Sequence, residues 1–193
     1  TDQWGHLLAT RLTEAGVVLT GGRNDCPTTM ARVTITDGIP SYAFDRAGTA
    51  ERAVNEGFLA DSIGGDVQAL HTGSLTLIDG PDAAAWEATI AAAYARGLLV
   101  SVDPNVRLSI IADLPGYRAR MRRILGTVHL LKLSDEDLAG LFPDLDEDSA
   151  LAQLRAETSA RIIVLTRGPN GVSAWLGVPA LDLPAPKPEP LAD

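Results

Sequence analysis

From residue 67 onward, short apolar runs alternate with amphipathic segments, and this alternation constrains the fold more than any other feature of the sequence. A bounded apolar run is typical of a buried strand, and apolar residues three and four apart are typical of a helix. Strands are predicted at 67–70, 98–102, 128–133, 162–165 and 172–176, and helices at 82–96, 117–125, 134–141 and 148–157. This order predicts an α/β fold with a mainly parallel sheet covered by helices on both faces.

The first 46 residues follow a different pattern. Apolar residues from Trp4 to Ala15 recur at helical spacing and are followed by Gly16, a typical helix-ending residue. Residues 30–36 and 41–46 alternate with period two around the turn signal Asp37-Gly38. The sequence therefore predicts a helix followed by a β-hairpin over 29–46. This hairpin is an addition to the main sheet, such as a lid.

Composition and charge narrow the class of protein. The 193 residues are 46% hydrophobic and 21% charged, which fits one domain with a sizeable core. The formal net charge of -9 argues against nucleic acid or an anionic membrane as the main partner. Cys26 is the only cysteine, so no disulfide can form within the chain and a reducing cytoplasm fits. No apolar run approaches the ~20 residues that cross a bilayer.

The two ends of the sequence suggest that it is a piece of a longer one. The chain starts at Thr1 rather than at a methionine, and residues 179–190 are rich in proline. Compact domains rarely end in such an extended stretch. We therefore expect residues 1–193 to form a partial α/β domain with sequence missing at both ends.

Polar residues follow several predicted strands, at the edge of a parallel sheet where ligands usually bind. The segment 103–107, directly after an apolar strand, offers a carboxylate, an amide and the Arg107 guanidinium. Arg107 is suited to bind a phosphate or sugar hydroxyls through its planar fork. A polar turn with a surface arginine is the alternative. After the first strand, residues 71–74 form either a simple turn or a close approach to a ligand.

Two more segments follow later strands. Ser134 and Asp137 have capping-box spacing, with Asp in place of the usual Glu or Gln, and this structural role is compatible with a carboxylate holding water around Mg²⁺. Residues 166–171 form a glycine-bearing turn that either brings backbone N–H groups near phosphates or only closes a hairpin. This turn is neither a Walker A loop nor a dinucleotide fingerprint.

Seven motifs match a known pattern in their chain order. They are Asp2-Gln3-Trp4-Gly5, Pro27-Thr28-Thr29-Met30-Ala31, the segment from Ser41 to Ala50, Leu70-His71-Thr72-Gly73-Ser74-Leu75, Asp103-Pro104-Asn105-Val106-Arg107, Ser134-Asp135-Glu136-Asp137, and Thr166-Arg167-Gly168 with Gly171. Together they resemble the ribokinase (phosphofructokinase-B) family of carbohydrate kinases over nearly the whole chain. The likeness is closest to the bacterial fructokinase and 2-keto-3-deoxygluconate kinase branch, and Asp-Pro-Asn-x-Arg is its most specific motif.

The resemblance implies a three-layer ribokinase-like sandwich with a small β lid, and transfer of the γ-phosphoryl group of ATP to a sugar hydroxyl. The implied substrate-binding residues are Tyr42, Phe44, Arg46, Gly73, Asn105 and Arg107, with Arg107 also catalytic. The implied nucleotide-binding residues are Lys132, Ser134, Asp137, Thr166, Gly168 and Gly171. Asp137 would also contact Mg²⁺ through water. A cytoplasmic location and a homodimer formed through the lid are further expectations, and activation by a monovalent cation is left open.

Three departures from the family pattern affect these expectations. Asp45 stands where the family has a tyrosine, so the sugar is not fixed, and Asp137 is shorter than the usual glutamate. The motif with the general base would begin at about Asp193, so we expect the catalytic aspartate beyond Asp193 and the chain itself to be inactive. The alternatives are an inactive fragment, a non-catalytic sugar- or nucleotide-binding protein, and a nicotinamide-dependent oxidoreductase. The last is disfavoured because no G-x-G-x-x-G follows a strand.

Overall fold

The structure is a computed structural model that describes residues 2–36, 39–177 and 180–187. The chain forms two compact units. The first contains the residues up to Val67 with 76–89 and 109–112, and the second contains 68–75, 90–108 and the residues from 113 onward. Each is described separately, and one domain over 1–193 stays a prediction.

The first unit contains the predicted helix and hairpin. Its elements are α1 (Gln3–Glu14), β1 (Met30–Thr36), β2 (Ile39–Asp45) and α2 (Glu56–Ser62). The Asp2 carboxylate caps α1 by accepting from the Gly5 amide at 2.8 Å, and Gly16 follows the helix with φ +81°. β1 and β2 pair antiparallel, with Val33 opposite Tyr42. The hairpin is confirmed, whereas the turn residues 37–38 lie outside the described residues.

The second unit contains a six-stranded sheet among the described residues. Its strands are β3 (Ala69–Gly73), β4 (Leu99–Asp103), β5 (Leu130–Ser134), β6 (Ile162–Thr166), β7 (Val172–Trp175) and β8 (Ala180–Leu183), in this spatial order. The pairs from β3 to β6 are parallel, and β7 and β8 add antiparallel strands. The predicted α/β class with a mainly parallel sheet is confirmed.

Helices join the parallel strands, as the alternation predicts. They are α3 (Gly80–Ala95, which starts in residues of the first unit), α4 (Leu114–Leu125), α5 (Asp135–Leu141) and α6 (Glu147–Glu157). No helix among the described residues has the length and apolarity of a membrane span.

The core of the second unit lies against one face of its sheet. Val100, Val102, Leu131, Leu133 and Leu165 are fully buried, while the residues between them are half-buried. Helices contribute Met121, Ile124 and Leu154 to the buried set. Burial of each such side chain contributes about 1.5–3 kcal/mol. This core holds the strands in place and so sets where their end loops begin.

Candidate active site

The carboxyl ends of β3, β4, β5 and β6 lie along one edge of the sheet. Gly73 pairs with Asp103 at the ends of β3 and β4, and Ser134 pairs with Thr166 at the ends of β5 and β6. The β4–β5 register, with Val102 opposite Leu131, places Asp103 beside Lys132. The sheet thus brings three of the polar segments and Gly73 to one edge. The prediction of a turn at 71–74 is wrong for residues 71–73, because backbone pairing with β4 extends β3 to Gly73.

The turn after β3 is held tightly against the end of β4. A Cβ atom at Gly73 would lie 1.8 Å from the backbone oxygen of Asp103, so only glycine fits. Ser74 and Asn105 both have left-handed backbones, with φ of 59° and 42°. The Asn105 amide donates to the Ser74 hydroxyl at 3.1 Å. Residues other than glycine are strained in the left-handed region, and such residues cluster at functional sites. The strain at Ser74 and Asn105 therefore marks these two neighbouring turns as candidates for a functional site.

Asp137 ties the turn after β4 to the beginning of α5. Its carboxylate is 3% exposed and accepts from the Val106 amide at 2.6 Å and from the Ser134 amide at 2.8 Å. The Ser134 hydroxyl accepts in return from the Asp137 amide at 3.0 Å. The predicted capping box is therefore present. The same carboxylate also fixes the turn that carries Asn105 and Arg107, which the spacing alone did not indicate.

A half-buried ion pair joins β4 and β5 at the same edge. The Lys132 ammonium lies 3.0 Å from one carboxylate oxygen of Asp103, and the two side chains are 37% and 28% exposed. The other oxygen of Asp103, Oδ1, is buried and has no hydrogen-bond partner among the described residues. Buried carboxylate oxygens are normally paired. An incoming donor, such as a sugar hydroxyl or water, would satisfy this atom.

Arg107 lies two residues beyond Asn105 and its side chain is half-buried. The two residues before it are both tied down, because the Asn105 side chain is bonded to Ser74 and the Val106 amide to Asp137. A guanidinium held on such a turn reaches a limited region at the strand ends. This is the arrangement needed for a positioned phosphate or hydroxyl contact.

The glycine turn after β6 joins antiparallel β6 and β7, so its interpretation as a hairpin turn is confirmed. Within it, the Arg167 amide donates to the Gly171 carbonyl at 2.8 Å, and a Cβ atom at Gly168 would meet no atom within 4 Å. The Thr166 hydroxyl contacts the Leu133 carbonyl at 3.4 Å. A Cβ atom at Gly171 would lie 2.2 Å from the Leu183 carbonyl, so that glycine is needed for packing against β8.

The electrostatics of this region extend to α4. Burial, and secondly the negative charge of Asp137, raise the pKa of the Tyr117 hydroxyl well above its ordinary value. Tyr117 is 2% exposed and its hydroxyl has no hydrogen-bond partner among the described residues. Tyr117 therefore stays neutral, although the positive charge of Arg120 acts in the opposite direction to the burial and to the Asp137 carboxylate.

The predicted lid residues belong to the first unit. The Tyr42 and Phe44 rings stack with centroids 6.4 Å apart. The Arg46 guanidinium donates twice to one oxygen of Glu51, at 3.0 Å and 2.6 Å, and only 11% of its side chain is exposed. A cavity of about 660 Å³ in this unit is lined by residues that include Asp2, Thr28, Phe44, Asp45 and Arg46.

Asp2 is a permanent anion of this cavity. Its carboxylate accepts from the Thr28 amide at 2.9 Å and from the Thr28 hydroxyl at 2.7 Å. These hydrogen bonds, with the one from Gly5, lower the pKa of Asp2 to about 2. The interactions favour the ionised form, so the carboxylate stays charged throughout the physiological range.

The described residues at the strand ends do not form a set of metal ligands. No group of three or more His, Cys, Asp or Glu residues within the described ranges is placed to hold one. Asp137 is buried and both its oxygens accept backbone N–H groups, so it presents little surface to a hydrated ion. The geometry gives Asp137 a positioning role, and a water-mediated metal contact stays a prediction.

Two residues of this edge were not predicted as site residues. Ser74 accepts from Asn105, and Asp103 pairs with Lys132. The predicted strands 98–102 and 128–133 gave a signal for the second contact, because parallel strands place their carboxyl ends, near Asp103 and Lys132, at the same edge. The Ser74 contact depends on the left-handed backbones of Ser74 and Asn105, and the residue types at these two positions do not predict that conformation.

Comparisons with known proteins identify the family of the chain. The profile described as pfkB family carbohydrate kinase matches residues 1–191. A fructokinase from Rhizobium leguminosarum bv. trifolii is 36% identical over 149 residues, which are 77% of this chain and 45% of that protein. The chain thus spans about half the length of the curated relatives it matches.

Solved structures support the same fold. A fructokinase with bound ATP from Xylella fastidiosa superposes with a TM-score of 0.82 at 24% identity, over 98% of this chain and 59% of that one. A fructokinase from Vibrio cholerae in a fructose-, ADP- and calcium-bound form gives a TM-score of 0.81 at 22% identity, over 99% and 62%. The solved structures show the same fold, and the profile match over residues 1–191 shows that the chain belongs to the pfkB family of carbohydrate kinases.

Proposed function

We propose that this chain is part of an ATP-dependent kinase that transfers the γ-phosphoryl group to a hydroxyl of a small neutral carbohydrate such as fructose. One observation carries the proposal. The turn with Asn105 and Arg107 is bonded on one side to Ser74, at 3.1 Å, and on the other to Asp137, at 2.6 Å. Phosphoryl transfer depends on position and charge stabilisation, and this turn supplies a rigid amide and guanidinium at the ligand edge of the sheet.

The sugar side of the reaction falls to the turns after β3 and β4. Gly73 lets the two turns approach closely. The Asn105 amide and the unsatisfied acceptor Oδ1 of Asp103 are polar groups suited to sugar hydroxyls. Arg107 would neutralise charge on the phosphoryl group as it moves to the acceptor hydroxyl. In this proposal Arg107 is the catalytic residue among residues 1–193.

The nucleotide side falls to the ends of β5 and β6. Lys132 offers a half-exposed ammonium, and the open backbone at Gly168 would allow phosphates to come close. Ser134, Asp137, Thr166 and Gly171 would shape this region through the backbone. The crystal of the Xylella fastidiosa relative with bound ATP supports a nucleotide as the second substrate.

The charge of the cavity in the first unit favours a neutral sugar. Asp2 and Asp45 contribute carboxylates, of which Asp45 is paired with Arg32 at 2.7 Å, and Arg46 is already paired with Glu51. A sugar acid such as 2-keto-3-deoxygluconate would bring a third carboxylate without gaining an unpaired cation from this lining. Phe44, which lines the cavity and stacks on Tyr42, would add apolar surface for the carbon skeleton. If the cavity holds the sugar, like-charge repulsion selects against acids.

The general base, the metal ions and the cellular location are parts of the proposal that no contact among the described residues supports. The family motif with the general base would begin at about Asp193, so we place the aspartate that takes the hydroxyl proton after this segment. Mg²⁺ would be held chiefly by nucleotide phosphates and water, and would neutralise phosphate charge. A monovalent cation stays a prediction without a contact to support it, and so does a cytoplasmic location.

A homodimer through the hairpin is a further part of the proposal. β1 and β2 form a separate two-stranded sheet, and Val33, Ile35 and Tyr42 are 53%, 71% and 48% exposed. An isolated hairpin is marginally stable in water, and an exposed apolar ribbon gains by pairing with another. We propose a second copy as its partner. Sedimentation of the wild type against Ile35→Lys would test this pairing.

The function is tested by a kinase assay on a longer protein in which this segment is followed by the missing motif. A panel with fructose and 2-keto-3-deoxygluconate should show ATP-dependent phosphorylation of the neutral sugar. Arg107→Ala should lower kcat roughly 100-fold or more, whereas Arg122→Ala, an arginine on α4, should not. The 193-residue chain should transfer no phosphate. Near wild-type kinetics for Arg107→Ala would remove that residue from the mechanism, and ATP binding without transfer by the longer protein would favour the non-catalytic alternative.

A further inference from the structure

A second cavity lies in the second unit, at the opposite edge of the sheet from the candidate active site. It has a volume of about 410 Å³, and Arg155, Arg161, Ile163, Trp175 and Leu176 are among its lining residues. Arg161 immediately precedes β6, whereas Thr166 ends that strand at the active-site edge. At ~3.3 Å per strand residue, five residues separate the two edges by roughly 16 Å. The cavity is therefore separate from the turns described above.

The charge at this cavity is unusual for such an acidic chain. Arg155, in the last turn of α6, and Arg161 are both exposed, and neither side chain has an ion pair or hydrogen bond to any described residue. The chain has 25 Asp and Glu residues against 16 Lys and Arg, so carboxylates are abundant elsewhere. The nearby carboxylate of Glu157 is engaged by Arg122 at 3.4 Å and by Gln153 at 2.7 Å.

The cavity also has an aromatic wall. Trp175 ends β7 and pairs in register with Ile163 of β6, so the half-buried indole lies beside the buried Ile163 side chain. Leu176, at the next position, is 69% exposed. An indole supplies a flat apolar face on which a planar or sugar ring packs. Two guanidinium forks and one such face form a complementary surface for a ring that carries phosphate.

We propose that this cavity binds a small phosphorylated organic molecule, with its phosphate on Arg155 and Arg161 and its ring against Trp175. The volume lies within the range of ~300–1,000 Å³ typical of small-molecule sites. Phosphate suits the pair of arginines because each guanidinium offers parallel N–H donors to two oxygens. This site is independent of the proposed kinase activity and would stand if that activity were absent.

The test is a fluorescence titration of the purified chain with ADP, fructose 6-phosphate, inorganic phosphate and citrate. Trp175 should report binding, and Trp175→Phe should remove the response. Arg155→Gln and Arg161→Gln should each weaken binding at least about tenfold, since each variant removes a charge-assisted hydrogen bond to the phosphate. Both residues are exposed, so these variants should fold. Arg11→Gln, on α1 and paired with Glu14, is the matched control and should bind like the wild type.

The four ligands separate the sources of affinity. ADP binding more tightly than fructose 6-phosphate would indicate stacking of a planar base, and the reverse order would indicate a sugar phosphate; either supports the site when inorganic phosphate binds more weakly. Citrate binding as tightly as the organic phosphates would overturn the phosphate assignment. Equal affinity in the wild type and the Arg155→Gln/Arg161→Gln double variant would overturn the site, as would absence of any saturable response.

Discussion

Replacement of Asp137 by alanine tests how the two turns of the candidate active site are held. The carboxylate is 3% exposed and accepts from Val106 at 2.6 Å and from Ser134 at 2.8 Å. Alanine leaves both amides without their acceptor in a buried place. Each hydrogen bond to a charged group is worth ~1.5–3 kcal/mol, and relief from burying the charge offsets part of the loss. We expect the free energy of unfolding to fall by about 3 kcal/mol.

Urea unfolding followed by circular dichroism measures this loss. With an m-value of about 2 kcal/mol/M, the midpoint should fall by about 1.5 M. Asp137→Asn keeps one acceptor oxygen and should lose about half as much. Glu136→Gln is the matched control, because Glu136 is an exposed acid in the same first turn of α5. The free energy of unfolding of this variant should fall by only ~0.3–1 kcal/mol, which is the contribution of a negative charge near the start of a helix.

Amide hydrogen exchange gives the local readout. In Asp137→Ala the Val106 and Ser134 amides should exchange much faster, while amides in the middle of β5 keep their protection relative to global unfolding. The reasoning is refuted if Asp137→Ala costs no more than Glu136→Gln, or if both amides keep wild-type protection. Either result would mean that other contacts hold the turn with Asn105 and Arg107.

Two further predictions concern single positions. Gly73→Ala should destabilise the second unit by about 3 kcal/mol or more in urea, because its Cβ would lie 1.8 Å from Asp103 O. Gly97→Ala, where a Cβ meets nothing within 4 Å but φ is +80°, should cost only about 1 kcal/mol. The pKa of Asp2 is lowered to about 2, so the stability it contributes should be present above its ordinary pKa and lost as the pH falls toward 2. A carboxyl NMR titration of Asp2 with a midpoint near 4 would contradict this, and Asp2→Asn should remove the dependence.

Local patterns were sufficient for most of the second unit. The apolar runs predicted β4, β5 and β6 to within about two residues because alternate side chains such as Val100 and Leu131 are fully buried. The capping box at Ser134 was readable because it depends on two residues three apart. Such features are encoded within one turn or strand, where spacing and geometry are directly related.

Other elements left little trace in the sequence. β8, Ala180–Leu183, forms within a proline-rich stretch that was expected only to be extended, and all four of its residues are exposed. Backbone pairing with β7 creates this strand, and the alternation of Leu181 and Leu183 is too short to mark it in the sequence. α2 buries only Leu59, so its periodicity is weak, although Asn55 does cap it. The residues 179 and 188–190 of that stretch lie outside the described residues.

The candidate site divides in the same way. The segments that carry Asn105, Lys132 and Ser134 were predicted from their place after strands, because parallel topology alone brings strand ends together. The bond from Asn105 to Ser74 depends on left-handed backbones, which follow from tertiary packing. The two roles of Asp137, as cap and as clamp on Val106, likewise required the register of two strands.

The most direct test of the central claim is an amide NMR titration of the chain with a non-hydrolysable ATP analogue and Mg²⁺. The Arg155→Gln/Arg161→Gln double variant should be used so that the second cavity does not contribute. We predict saturable shifts concentrated at residues 103–107, 132–137 and 166–171, the strand-end turns of one sheet edge. Saturable binding that leaves these three turns unshifted, or no binding at millimolar analogue, would contradict the assignment of this edge as the kinase site.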